Sequence, residues 1–175
     1  MTKPGPILIV VVALVVALAI GGLFHLYNTG QQETRAQATA SLDTGIALFR
    51  EKKYIESLAK LQSIPDGVIQ DWHLPYYTAS AHVMLKDYQS SVPELEKALA
   101  LNPQEPLILF EFGVVYYKLG KPGLSKGYFA SIVEIDPTHE EAKGLMDIMA
   151  ELERKQSGET PVDSSQKDGN GDNSH

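Results

Sequence analysis

Ser125, Asp136 and His139 follow one another in the order nucleophile, acid, base. Ser125 also stands in "GLSKG" (123–127), which matches the G-x-S-x-G elbow of acyl-transfer hydrolases. An elbow of that kind needs a strand before the serine so that the hydroxyl is held at the top of a sheet. No strand pattern precedes Ser125, and the surrounding residues read as helix. "SLAK" at 57–60 matches S-x-x-K but lacks the partner motifs of that chemistry. Near the C-terminus, Asp168, Asn170 and Asp172 have calcium-loop spacing, without the glycine after the third ligand or a later bidentate glutamate. The histidines show no H-x-x-x-H or H-E-x-x-H spacing, and the chain has no cysteine. Zinc–thiolate sites, disulfides and thiolate nucleophiles are therefore excluded. We expect no catalytic residue, no metal and no cofactor.

The elements that carry these residues divide into a greasy front, a patterned middle and a polar end. "ILIVVVALVVALAIGGLFHLY", residues 7–27, holds no Asp, Glu, Lys or Arg and would span roughly 30 Å as a helix. It is expected to be a membrane anchor in contact with the bilayer. "ALA" at 17–19 leaves open a cleaved signal, although the apolar run continues past it. Lys3 in the short segment 1–6 favours a cytoplasmic N-terminus and an exported, periplasmic remainder on an inner membrane. Ala13, Ala17 and Gly21, four apart, would form a small-residue stripe for helix packing within the membrane. Residues 28–37 read as a polar linker, and 156–175, almost without aliphatic residues, as a disordered tail. The formal net charge of −7 argues against nucleic acid as a partner, since phosphate neutralisation needs a basic face.

Between linker and tail the chain repeats itself at a step of 34 residues. Gly45, Ala79 and Gly113 share one register position, as do Ser57, Ser91 and Ser125. Leu61, Leu95 and Phe129 share a third, and Ile64, Ala98 and Ile132 a fourth. Tyr54 and Tyr88 match, with Pro122 in the third copy. A fixed period that keeps small with small and bulky with bulky marks a stacked array, with units 38–71, 72–105 and 106–139. Each unit is two helical stretches separated by a break, "REKKY", "LKDY" or "LGKP". The two small residues let the helices touch, and the bulky residue four after the second fills the space beside them. "IPDG" closes the second helix of the first unit early, and "SVPE" (91–94) offers a late capping box that would accommodate Pro93. "THEE" (138–141) offers another, opening a capping helix over 140–155 with Leu145, Ile148, Met149 and Leu152 as its apolar stripe.

These units resemble tetratricopeptide repeats. The third copy carries the resemblance best, through Leu109, Phe112, Gly113, Tyr116, Ser125, Phe129 and Pro137. The resemblance implies an all-α fold, a right-handed superhelix of three helix-turn-helix units over 38–155 with a capping helix, preceded here by the transmembrane helix. It further implies that one side of the first helices lines a concave surface where ligands dock. On that side stand Leu42, Ile46 and Phe49, then Tyr76 and Tyr77, then Leu107, Phe110, Val114 and Tyr117. Tyr116 and Phe129 are expected between helices. A family subgroup grips chaperone C-terminal carboxylates. Its clamp places fall on Leu42, Ile46, Tyr77, Leu107 and Glu111, none of which can donate to a carboxylate as the clamp requires.

The expected function is therefore a non-enzymatic, membrane-anchored scaffold that takes a polypeptide with an apolar or amphipathic segment into this groove. Its layout is similar to bacterial inner-membrane repeat proteins of envelope assembly, including those serving cytochrome c maturation. The competing expectation is a structural homo-oligomer without a groove ligand.

Overall fold

A computed structural model describes residues 5–157, with side chains described over 14–155. Among the described residues seven helices form: α1 (Pro6–Arg50), α2 (Tyr54–Gln62), α3 (His73–Met84), α4 (Tyr88–Leu101), α5 (Pro106–Lys118), α6 (Pro122–Ile135) and α7 (Glu140–Ser157). There is no strand among the described residues. The chain divides into two compact units, the first holding α1–α4 and the second α5–α7. In the first, α1 packs on α2, α2 on α3, and α3 on α4. In the second, α5 packs on α6 and α6 on α7.

The repeat period has a backbone counterpart. Lys52, Lys86 and Gly120, each 34 after the last, adopt left-handed φ of 63°, 64° and 71°. Each turn closes the same way. The amide of the left-handed residue donates to the carbonyl three back (Phe49, Val83, Tyr117), and the next amide donates to the carbonyl five back (Leu48, His82, Tyr116). This pair of hydrogen bonds satisfies carbonyls at the ends of α1, α3 and α5 and turns the chain into the following helix. Glycine occupies the position without steric cost only in the third hairpin; the two lysines hold it against the usual penalty on L-residues.

Packing inside the hairpins follows the small and bulky register. A Cβ built on Gly45 would lie 2.5 Å from a methyl of Leu61, and one on Gly113 2.5 Å from the Phe129 ring. Ser57 and Ser125 are fully buried, and their hydroxyls donate across the hairpin to the carbonyls of Gly45 (2.8 Å) and Gly113 (2.6 Å). In the middle hairpin, where alanine replaces glycine, the Ser91 hydroxyl donates instead to Tyr88 in its own helix. The early break at "IPDG" shortens α2 relative to α4 and α6. Ile64, from the segment that follows, then joins Ala38, Leu42 and Leu61 in the core of the first unit.

Two expected caps are corrected. α4 begins at Tyr88, not near Pro93, with Asp87 accepting from the Ser90 amide, so Pro93 lies inside the helix. At the start of α7, Thr138 does not cap. Its amide and hydroxyl both donate to Asp136 (2.9 and 2.7 Å), and His139 Nδ1 accepts the Ala142 amide instead. The short Asp-Pro-Thr turn takes the threonine out of the capping position.

The expected anchor over 7–27, with its bilayer contact and its inner-membrane, periplasmic placement, is also corrected: among the described residues no helix is long and apolar enough to cross a membrane. The apolar stretch forms the front of α1, which begins at Pro6. It is interrupted by Gly21, Gly22 and His25, and α1 then continues unbroken through the polar residues 28–37 into the first repeat. Of the expected packing stripe, Ala17 and Gly21 are exposed, and the side chain of Ala13 lies outside the described residues. The expected disordered tail lies outside them beyond Ser157, as do Asp168, Asn170 and Asp172.

Candidate functional site

Ser125 is a packing residue of the third hairpin. It sits inside α6, fully buried, with its hydroxyl committed to Gly113 and near Met149 Sδ at 3.7 Å. Asp136 is engaged by Thr138, whose hydroxyl, ahead of its amide, holds the carboxyl below the usual carboxylate range. His139 is spent on the α7 cap and lies flat against Phe110 at 6.3 Å. The three residues serve three separate structural tasks. Among the described residues no group of three His, Asp or Glu side chains converges as a metal site requires.

The sequence-derived groove residues fall into separate neighbourhoods. In the first unit, Leu42 is buried in the core, and Ile46 and Tyr77 pack against that same core. Phe49 meets the edges of Tyr54 and Tyr77, each at 5.4 Å. Tyr77 continues to Tyr76 at 5.3 Å, and Tyr76 to Trp72 at 5.6 Å. The result is a continuous aromatic patch, half-buried, on the α1–α3 side.

In the second unit, Leu107 is 53% exposed. Phe110 turns toward the hairpin interior, 5.5 Å from the buried Phe129 ring. Tyr116 is half-buried in a parallel stack with Phe112 and Tyr128. Val114 and Tyr117 face another way. With Lys118 they form one wall of a cleft of about 270 Å³, whose floor is Phe129 and whose far wall is Leu145, Ile148 and Met149 of α7. A second hollow, sharing Tyr117 and Met149, carries the cleft on to Gly120, Pro122 and Leu152.

The cleft arises because α7, with its apolar stripe at helical spacing, packs on α6 and leaves that stripe facing α5 only in part. Ile148 is 57% and Tyr117 47% exposed, a large share for apolar bodies facing each other. Lys126 and Glu153, paired at 2.9 Å, tie α6 to α7 on the outer side. The trough so framed is lined mainly by apolar side chains of α5 and α7. The part of α7 in this wall is legible in its stripe, but only tertiary placement shows that it faces Val114 and Tyr117. Trp72 and His73, stacked at 3.9 Å, were not signalled by any periodicity, since the tryptophan lies outside the helices.

Comparison with known proteins bears on the fold. No family model matches the chain. Tetratricopeptide repeat protein 21A of mouse is 32% identical over 82 residues, which are 46% of this chain and 6% of that protein. The chain thus spans a small part of the length of the curated relative it matches. Among solved structures, the first tetratricopeptide-repeat domain of Spaghetti (RPAP3), bound to an HSP90 peptide, superposes with a TM-score of 0.61 at 23% identity. The match covers 66% of this chain and 91% of that one. The second such domain of human RPAP3, in complex with an HSP70 peptide, gives 0.61 at 19% identity, covering 67% and 98%. The fold is that of the tetratricopeptide repeats.

Proposed function

We propose that this chain is a protein-interaction module without catalytic activity, and that it takes an amphipathic segment of a partner polypeptide into the cleft between α5 and α7. The observation that carries the reading is the apolar lining of that cleft by Val114, Tyr117, Leu145, Ile148 and Met149, with Ile148 and Tyr117 about half exposed. Solved relatives of the fold are bound to HSP90 and HSP70 peptides. A carboxylate clamp of the chaperone-binding kind does not fit the places the sequence assigns to it. Leu42 is buried, Ile46, Tyr77 and Leu107 bring no cation, and Glu111 brings a negative charge. The other groove residues, Phe49, Tyr76 and Phe110, serve in this reading as the aromatic support of their own helices. The likeness in layout to envelope-assembly proteins rested on the anchor and is given up with it.

The test is selection of peptides from a displayed random library on the full chain. Enriched sequences should carry apolar residues at helical spacing and should lose binding to Ile148→Asp and Val114→Asp. Enriched peptides indifferent to both substitutions would place binding elsewhere.

A second reading, self-association, is favoured by one observation. Leu14, Leu18, Leu23, Phe24 and Leu26 of α1 are all exposed. Sedimentation of the full chain, with and without substitution of these residues by glutamine, decides it: a monomer in both cases removes it.

A further inference from the structure

The two hollows of the α5–α7 cleft give it a direction. Val114 shares the first with Leu145 and Ile148, and Gly120 shares the second with Leu152, so residue numbers rise the same way along both banks. Lys118 lies four residues after Val114, one turn further along the same face of α5, and lines the first hollow. The cleft thus has an apolar body and, toward its Gly120 end, a lysine.

The chain carries a formal net charge of −7, yet the free charge at this end of the cleft is positive. Lys118 is exposed and has no ion-pair partner among the described residues. Lys121, three residues on, has none either; its ammonium lies over the Tyr116 ring at 5.7 Å. Among the described residues the one carboxylate lining either hollow, Glu153, is held by Lys126 at 2.9 Å. Elsewhere on α7, Glu140 pairs with Lys143 and Glu151 with Arg154 and Lys155, and neither Glu141 nor Asp147 enters the lining. A free anion would meet one exposed lysine in open solvent and gain nothing from the apolar walls. A carboxylate carried by the segment that fills the trough is brought to Lys118 by that segment's burial, as a linked contact at high effective concentration.

We propose that the segment received by the α5–α7 cleft is acidic at one flank, where a Glu or Asp side chain about one helical turn beyond its last apolar anchor pairs with Lys118. The inference rests on the cleft being the binding site, and adds the sign and place of the partner's charge. A rim pair of this kind selects among partners of similar hydrophobicity and speeds their encounter more than it deepens affinity.

The probe is the labelled helical peptide acetyl-Glu-Gln-Ala-Ser-Leu-Ala-Gln-Leu-Leu-Gln-Ala-Leu-Ser-Ala-Gln-Gln amide, whose leucines stand at helical spacing with the glutamate one turn before the first. Two twins carry glutamine or lysine in place of that glutamate. Each is titrated by fluorescence anisotropy with the full chain, unmodified and as Lys118→Met, Lys118→Glu and Ile148→Asp. The unmodified chain should bind the glutamate peptide about two- to fivefold more tightly than the glutamine one, the scale of an exposed ion pair, and the lysine peptide most weakly. Comparing these ratios between chain variants cancels whatever the exchange does to the peptide's own helicity. Lys118→Met should flatten the spread, Lys118→Glu should invert its order, and raised salt should narrow it. Ile148→Asp should weaken all three peptides alike; if it leaves them unchanged, the cleft reading itself fails. Weakening by Ile148→Asp, with ratios that Lys118→Glu leaves as they were, overturns the acidic flank alone. No saturable binding of any of the three up to on the order of 1 mM overturns both.

Discussion

Gly113→Ala tests the packing logic of the third hairpin with the least chemistry, a single methyl. A Cβ there would lie 2.5, 2.6 and 2.9 Å from three atoms of the Phe129 ring. The ring is 2% exposed and held on one side by Phe110 at 5.5 Å, so admitting the methyl requires it to shift toward the α5–α7 cleft. Overpacking of this kind costs about 1–3 kcal/mol. Forcing α5 from α6 also stretches the Ser125–Gly113 hydrogen bond of 2.6 Å, a contact worth about 0.5–1.5 kcal/mol. Against this, alanine gains about 1 kcal/mol over glycine in helix propensity. The net is a loss of about 1–3 kcal/mol, read as a lower urea midpoint by far-UV circular dichroism with the slope unchanged. The middle hairpin shows the accommodating pair, Ala79 in the glycine register and Leu95 in the phenylalanine register, both fully buried. Phe129→Leu should therefore rescue Gly113→Ala, with a coupling of about 1 kcal/mol or more in a double-mutant cycle. A neutral or stabilising Gly113→Ala, or a cycle with no coupling, would refute the reasoning.

Other substitutions test other parts of the account. Lys52→Gly and Lys86→Gly relieve left-handed φ angles and should each stabilise by up to about 1 kcal/mol, while Gly120→Ala should cost about 1–2 kcal/mol, all measured by denaturant midpoint. Thr138 holds the Asp136 carboxyl below its ordinary range, so its contribution is complete above the unfolded value of about 3.9. That contribution is lost as pH falls through the lower folded value, and in acid titrations followed by circular dichroism Asp136→Asn should remove this part of the acid dependence. Deletion from residue 140 strips α7 from Phe129 and Ser125 and should bring aggregation or a large fall in melting temperature, whereas deletion of 158–175 should leave that temperature nearly unchanged.

The hairpins were legible because packing imposes their period on the residues themselves. Gly45 and Gly113 must be small for Leu61 and Phe129 to fit, and the serines must be small and polar to reach the facing carbonyls. The turns were legible as breaks, yet nothing in Lys52 or Lys86 announces a left-handed residue. Helix starts were misread where two residues compete for one task, as Thr138 and His139 do for the start of α7, and where Pro93 resembled a first-turn proline. The groove was legible only as a set of apolar faces. Which faces meet depends on tertiary placement: Phe110 spends itself on Phe129 and His139, while α7 supplies the wall that Val114 and Tyr117 face. The anchor was inferred from a count of apolar residues, a count that does not tell how the segment continues into α1.

The most direct test of the central claim, that the α5–α7 cleft takes a partner's amphipathic segment, is site-specific photo-crosslinking. A helical peptide from the display selection is irradiated with full chain carrying Tyr117→p-benzoylphenylalanine, or Ile148→p-benzoylphenylalanine. The same replacement at Ile55 of α2, 72% exposed, serves as a surface control. The account predicts saturable crosslinks from positions 117 and 148, competed by unlabelled peptide, and only background from position 55. Equal crosslinking from all three, or saturable crosslinking from position 55 alone, would contradict it.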